Sequence, residues 1–378
     1  MKVLLIDQIA KINYKYSFPL ANGLTNQEVY VQLVIDKKRE RENCVCERIR
    51  LFNASEKEKG KIRKLMNYVS SYFAISKLFK RESFDIIHSQ WYIFSPMDYW
   101  FIKHIKRKYG IRYVATIHDI LPFNRKFYDL YFHRKLYHIA DSIILQTPGN
   151  VERFAKFFPN LTDKVHMIPH GHMLDYVESQ DMSESRQRLG IPLNKTVFLF
   201  FGQIKKVKGV DILLKSIALL KNRYPNLYVV IAGSVWKTDF AEYQKIIEEN
   251  QLNKCLKTEI RYIPDEDVKY FYSSCDVCVL PYTDVYQSGV IQLAYGYGKP
   301  VIATSLSAFT QFVKEGKTGF LAEPGNPDSL AAAMERALNT ENEKLAGMGK
   351  AGYQFVREEL DWNKLAQRIV EKCYKSAK

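Results

Sequence analysis

The chain has 378 residues, enough for two or three domains with buried cores. Apolar residues make up 47% and charged residues 26%, which excludes a disordered chain, and no run reaches the ~18 apolar residues of a membrane-spanning helix. Lys and Arg number 56 against 41 Asp and Glu, and the excess is lopsided: residues 1–172 hold 29 basic and 16 acidic residues, the rest 27 and 25. Such asymmetry points to an anionic partner, whether nucleic acid, membrane surface or substrate, without choosing among them.

The opening Met1–Asp7 is too short for a signal-peptide core and lacks a small-residue cleavage site, so it reads as a strand and the protein is expected in the cytosol. Val3–Ile6, Val29–Asp36, Phe84–His88, Arg112–His118, Ser142–Gln146 and Val165–Ile168 are strand candidates, with helical windows between them. In residues 61–80, Ile62, Leu65, Met66, Val69 and Phe73 recur at three- and four-residue steps and mark one face of a helix. The pattern restarts after residue 190. Strands are expected at Thr196–Phe201, Leu227–Ala232, Glu259–Ile263, Val277–Leu280, Val301–Thr304 and Phe320–Ala322. Helices are expected at 209–223, 238–250, Val268–Ser274, Ser288–Tyr297 and 327–338. Strands alternating with helices imply parallel sheets built from right-handed crossovers. The expectation is two α/β sheets in tandem, joined near 170–190 through the polar stretch Glu178–Arg188 acting as a linker.

In open α/β sheets ligands sit beyond the carboxyl ends of strands, so chemistry is sought there. Gly202, Gln203, Lys205, Lys208 and Gly209 follow the first strand of the second half. Two ammonium groups before a helix N-terminus suit a diphosphate; the alternative is a solvated lysine-rich loop. Gln287, Ser288, Gly289, Val290 and Ile291 open another helix, with Ser288 as the expected N-cap and amides free to meet anionic oxygens; the alternative is an ordinary strand–helix turn. His118 ends a first-half strand, where a neutral imidazole can hydrogen-bond a substrate; His88, His170 and His172 stand in comparable places, and for each a structural role is the alternative. Cys275 and Cys278, like Cys44 and Cys46, have no second pair and no His at ligand spacing, so no metal is expected. P-loop, dinucleotide-fingerprint and nucleophile-elbow motifs are absent from the sequence, which removes the main support for ATPase, NAD-dehydrogenase and serine-hydrolase readings.

Basic residues (Lys57, Lys59, Lys61, Arg63, Lys64, Lys77, Lys80, Arg81, Lys103, Lys106, Arg107, Lys108) interleave with Trp91, Tyr92, Phe94, Tyr99, Trp100 and Phe101. The readings are a solvated charged face over core aromatics, or contact with an anionic membrane surface or a lipid diphosphate at it. Nucleic acid is not expected, because no recognised binding fold is evident.

Six second-half motifs in order resemble the retaining GT-B glycosyltransferases of family 4. They are Gly202-x5-Lys208-Gly209, Arg261–Val268, Asp276–Tyr282, Ser288–Val290, Gly298–Thr304 and Glu315–Leu321. The first half is similar more loosely, through Asp85–His88, Thr116–Asp119 and Ile168–Gly171. The resemblance implies an α/β fold of two Rossmann-like domains facing across a cleft: an acceptor domain over 1–175, a nucleotide-sugar domain over 190–353, and a helix over 354–378 that returns to the first. It implies a sugar transfer from a UDP- or GDP-linked donor to a glycan or polyprenyl- or lipid-linked acceptor, with no cofactor and no metal. Lys205 and Lys208 would take the donor diphosphate, with His118 beside the donor sugar as a third catalytic group. Gly202, Gln203, Arg261, Tyr262, Ile263, Asp284 and Gln287–Gln292 would bind the donor, and His88 and His170 would lie on the acceptor side. The sequence departs from the family at its Glu-x7-Glu pair, where Asp284 and Gln292 stand, at Gln203 in place of Arg, and at Asp7–Ala10 in place of a glycine-rich loop. A nucleotide-sugar epimerase on the same fold, or a non-catalytic sugar- or membrane-binding partner, are the competing readings. The expected location is the cytoplasm, with peripheral placement at the inner face of the cell membrane.

Overall fold

The computed structural model describes residues 1–36, 44–52, 60–122, 126–236, 239–286 and 288–375. The chain divides into two units, one of Met1–Gly171 with Leu360–Lys378, the other of His172–Glu359.

The first unit holds strands β1 (Lys2–Ile6), β2 (Tyr30–Asp36), β3 (Glu47–Phe52), β4 (Ile86–Ser89), β5 (Arg112–Thr116), β6 (Ser142–Leu145) and β7 (Val165–Met167). They pair in parallel in the order β3-β2-β1-β4-β5-β6-β7. Helices α1 (Ala10–Asn26), α2 (Lys61–Arg81), α3 (Ser95–Tyr109), α4 (Asp129–Ile139) and α5 (Pro148–Phe157) supply the crossovers. β1, β4, β5 and β6 are buried nearly throughout, as strands covered on both faces must be.

In the second unit α6 (Met182–Leu189) precedes β8 (Thr196–Phe201), α7 (Val210–Leu220), β9 (Leu227–Ala232), α8 (Ala241–Glu249), β10 (Leu256–Glu259), α9 (Val268–Ser274) and β11 (Val277–Leu280). Then come α10 (Gly289–Gly296), β12 (Val301–Thr304), α11 (Ser307–Thr310), β13 (Gly319–Ala322), α12 (Pro327–Leu338) and α13 (Asn342–Glu359). This sheet runs β10-β9-β8-β11-β12-β13, all parallel. The last helix, α14 (Trp362–Ile369), lies in the first unit against α1, with the Trp362 ring 5.2 Å from that of Tyr16.

Each sheet starts in its middle and winds outward in both directions. The strand order therefore reverses between β1 and β4 in the first unit and between β8 and β11 in the second. At such a reversal the two following helices leave on opposite faces, and a crevice opens at the carboxyl ends of the strands.

Four sequence expectations differ from the structure. β3 was not anticipated; it is an edge strand whose residues are exposed or half-buried except Phe52, so it has no apolar run to read. The strand expected at Glu259–Ile263 lies at Leu256–Glu259, because its ladder with β9 runs from Leu256 to Glu259 and ends at the Gly233 amide bonding the Glu259 carbonyl. The stretch Glu178–Arg188 is not a linker from end to end. Asp181 caps α6, and Arg186, buried, reaches the Ser274 and Leu193 carbonyls and pairs with Asp276 at 2.7 Å, which docks α6 on α9. Finally, the apolar face read on α2 is the outer one. Ile62, Leu65, Met66 and Phe73 are exposed, while Tyr68, Ser71, Tyr72, Ile75 and Phe79 face the core. A helix with two apolar stripes has a clear period but does not reveal which stripe is buried.

Candidate functional site

In the second unit the loops after β8 and β11 flank the crevice where strand order reverses, and they are stitched together. Gly209 takes φ +67°, and a Cβ there would stand 1.9 Å from the Pro281 carbonyl oxygen, so only glycine fits. The Thr283 amide donates to the Val207 carbonyl at 2.9 Å. Gly202, at φ +123°, turns beside Val290 in the first turn of α10, and Gly233 lies against the Gly202 carbonyl so closely that a Cβ would come within 1.9 Å. The loop after β9 joins the same seam, with the Ile204 amide on the Ser234 carbonyl and the Trp236 amide on the Ile204 carbonyl.

The two predicted lysines stand on this seam. Lys208, half-buried, sits one residue before the N-cap of α7, its Nζ 3.7 Å from the centroid of the buried Tyr282 ring. Burial lowers its pKa to about 7. An ammonium prefers water to a low-dielectric site, so burial here favours the neutral amine. Lys205 lies with Nζ 5.1 Å from the Trp236 ring. Ser288 occupies the N-cap of α10, as expected, but its hydroxyl makes no capping bond. The start of α10 is thus left without side-chain capping, and Val290 brings it beside the loop of Gly202.

The remaining donor-side candidates scatter more. Gln203, Asp284, Gly289 and Val290 are half-buried, Ile291 and Gln292 buried. A Cβ at Gly289 would stand 2.6 Å from Met173 Cε, so the flexible end of that side chain would have to shift to admit one. Arg261, half exposed, bonds Glu259 at 3.2 Å; Tyr262 is exposed and Ile263 buried, all in the loop after β10 rather than in a strand. Gln287 lies outside the described residues, as do Lys57 and Lys59 of the basic run.

In the first unit His118 follows β5 and is buried. Its imidazole stacks on Trp91 with centroids 4.8 Å apart and planes 7° from parallel, meets Tyr16 edge-on at 4.8 Å, and places Nε2 3.1 Å from Gln90 Oε1. Desolvation holds its pKa down at about 3, so the ring is neutral at physiological pH. His88 is also neutral, for the same cause. Both its nitrogens are engaged inside the unit, Nδ1 2.7 Å from Tyr374 Oη and Nε2 2.8 Å from Thr116 Oγ1. His170 is half-buried, its Nδ1 2.6 Å from the Gly171 carbonyl and its ring 4.9 Å from Tyr16. Tyr16 thereby links His118, His170 and Trp362 in one aromatic cluster.

Sequence reasoning missed several members of these groups. Tyr282 lies within a quoted motif, but nothing in its identity announces that Lys208 sits on it. Trp91, Gln90 and Tyr16 carry no motif. At the end of β1, where a glycine-rich loop is replaced, Gln8 Nε2 donates to Asp98 Oδ1 at 2.6 Å and to Tyr72 Oη at 2.7 Å, and Tyr68 Oη lies 2.7 Å from the same carboxylate oxygen. The Ile93 amide donates to Gln8 Oε1 at 2.8 Å, tying the loops after β1 and β4 together.

Residues 181–355 match the family model for glycosyl transferases group 1, and residues 16–176 that for glycosyltransferase family 4. The D-inositol 3-phosphate glycosyltransferase of Corynebacterium urealyticum is 25% identical over 76% of this chain and 71% of its own length. The lipopolysaccharide 1,2-N-acetylglucosaminetransferase of Salmonella typhimurium is 26% identical over 79% and 82%. Among solved structures, HepE of Anabaena in complex with UDP-glucose superposes with a TM-score of 0.75 at 18% identity, covering 98% of both chains. Two doubly wound parallel sheets, a C-terminal segment that belongs to the first unit, and two family models that adjoin along most of the sequence place this chain among the group 1 glycosyltransferases of family 4, transferase enzymes of the GT-B fold.

Proposed function

We propose that the chain is a retaining glycosyltransferase that moves a sugar from a UDP- or GDP-linked donor to a glycan or lipid-linked acceptor, in assembly of a cell-surface polysaccharide or glycolipid at the inner face of the membrane. The observation that carries this reading is the desolvated Lys208, held on Tyr282 at the opening of α7. The named relatives support the substrate class, one acting on an inositol phosphate and one on a lipopolysaccharide, and HepE was solved with UDP-glucose.

Breaking the anomeric bond sends negative charge onto the departing nucleoside diphosphate. Lys208, Lys205 and the first amides of α7 would meet that charge as it grows, so their effect is greatest in the transition state. Gly202 and Gln203, with Asp284 and Gln287–Gln292, would hold the donor sugar and phosphates. Arg261–Ile263 would lie along the base. His118, neutral and held by Trp91, Gln90 and Tyr16, would offer a hydrogen bond to the transferring sugar without contributing a charge. His88 and His170 would act on the acceptor side.

The test is a thermal-shift series with UDP- and GDP-sugars, followed by anomer analysis of the transfer product by NMR. The expected result is stabilisation by one nucleotide class and an anomeric configuration kept from donor to product. Epimerised nucleotide sugar formed without acceptor would replace this reading with an epimerase, and no shift with any donor would remove the donor site.

A further inference from the structure

All six cysteines are free thiols, and two pairs of them stand close. Cys275 and Cys278 are buried, with their Sγ atoms 3.8 Å apart, in ordinary contact and closed to any thiol reagent. Cys44 and Cys46 differ on both counts. Their Sγ atoms are 2.7 Å apart, most of the way to the roughly 2.05 Å of a disulfide. Cys46 is buried, but Cys44 is half-buried and Val45 between them is 71% exposed. Among the described residues, this is the close cysteine pair that solvent reaches.

The backbone leaves the pair free to react. The ladder of β3 with β2 begins at Glu47, opposite Gln32, so residues 44–46 come before the sheet pairing that would fix them. The Val45 amide donates to Asn22 Oδ1 on α1 at 3.0 Å, which ties down the middle residue. Residues i and i+2 of an extended chain project to one side, and here their sulfurs meet. The two sulfurs are not equivalent. The hydrogen bond with Cys44, and burial, push the Cys46 thiol up, so Cys46 keeps its proton; the nearby Arg48 charge opposes this only in part. The more accessible Cys44 is left as the sulfur placed to attack first.

We propose that Cys44 and Cys46 form a reversible redox dithiol, oxidised to an intramolecular disulfide by a low-molecular-weight disulfide such as glutathione disulfide. In the first step the Cys44 thiolate attacks one sulfur of glutathione disulfide. That S–S bond breaks, one glutathione leaves as a thiolate and takes up a proton, and a mixed disulfide remains on Cys44. In the second step Cys46 gives up its proton and attacks Cys44 Sγ, and the second glutathione leaves and is protonated. The two protein thiols lose two electrons and two protons, and glutathione disulfide gains both as two glutathione thiols. A ring closed from Cys44 to Cys46 removes little chain entropy from the unfolded state, so the bond suits reversible exchange rather than stapling of the fold. It would fix the chain where it enters β3, the edge strand of the first sheet. The inference goes beyond the proposed function and does not depend on it.

The test is equilibration of the full chain in glutathione buffers of graded reduced-to-oxidised ratio, followed by acid quenching, alkylation in denaturant and tryptic mapping by mass spectrometry. Cleavage after Arg41 and Arg48 releases residues 42–48 with both cysteines on one peptide. In excess reduced glutathione this peptide is expected to carry two alkyl groups. In excess glutathione disulfide it should carry none and be lighter by two hydrogens, and dithiothreitol should restore the alkylated form. The peptides of the buried Cys275, Cys278 and Cys373 should stay alkylated throughout. Cys46→Ser should trap a glutathione adduct on Cys44, and Cys44→Ser should leave Cys46 alkylated at every ratio. Full alkylation of the wild-type 42–48 peptide at every ratio overturns the proposal. So does a peptide that stays oxidised in excess reduced glutathione, which would make the bond a fixed one, or disulfide-linked dimers through Cys44 on a non-reducing gel. The wild-type map decides the matter even where a serine variant fails to fold.

Discussion

Where strand order reverses in the first sheet, the carboxyl end of β1 meets Gln8, Tyr68, Tyr72 and Asp98, four side chains that bond one another and are buried. At the matching place in the second sheet the chain carries Gly202, Lys205, Lys208 and Gly209, whose backbones pack loop on loop, with Lys205 Nζ over the Trp236 ring and Lys208 Nζ over the Tyr282 ring. Both crevices come from the same winding. The first is filled by its own polar side chains, and the second is lined by close-packed backbone and cations. Topology therefore supplies the crevice, and side-chain volume and charge decide whether an anion can use it. The histidines continue the contrast: His88 and His118 are kept neutral by burial, while Lys208 is poised near neutrality.

The contrast makes four tests direct. Lys208→Ala should have the largest effect, lowering kcat roughly 10²–10³-fold, the cost of losing one donor to developing charge. Its melting temperature should hold or rise, because the lost ammonium was partly desolvated. Wild-type turnover would remove Lys208 from the leaving-group role. Asp98→Ala should do the reverse. It strips the acceptor from Gln8, Tyr68, Tyr72 and the Phe94 amide, and should cost about 2–4 kcal/mol in denaturant unfolding. Stabilisation by a nucleotide sugar should survive it; a lost donor shift would mean the two crevices are not separate in function.

The smallest effect concerns protons. Lys208 has a pKa of about 7 when desolvated. A bound diphosphate favours the charged amine and raises that value. Binding should then draw in protons, and affinity should fall as pH rises above about 7, until the pKa of the bound form is passed. UDP-glucose is a suitable probe, because its diphosphate does not itself titrate there. Calorimetry at pH 8 in buffers of different ionisation enthalpy should report uptake approaching one proton, absent in Lys208→Met. His118, neutral already, should add no inflection to the kcat profile near pH 6.5; an inflection there that His118→Gln removes would show a charged imidazole instead.

Legibility followed burial. β11 (Val277–Leu280), β12 (Val301–Thr304) and β9 (Leu227–Ala232) fall where the apolar runs predict, since a strand covered on both faces must be apolar throughout. β3 is missed because an edge strand needs no such run. α6 is misread because its packing rests on one buried Arg186 reaching carbonyls and Asp276, and a charged residue in sequence looks like solvent exposure. The loop of Gly202–Gly209 was legible as a glycine–lysine motif, but its partner Tyr282 was not.

The sequence by itself determined the alternation of strands and helices, the two-sheet organisation and the order of the family motifs, because these depend on local periodicity and on spacing along the chain. Only the tertiary structure decided which stripe of α2 is buried, that Asp98 fills the first crevice, and that Tyr282 lies under Lys208. Those outcomes depend on which surfaces meet in space, and burial, which sets charge and protonation here, is a property of the packed chain and not of any residue alone.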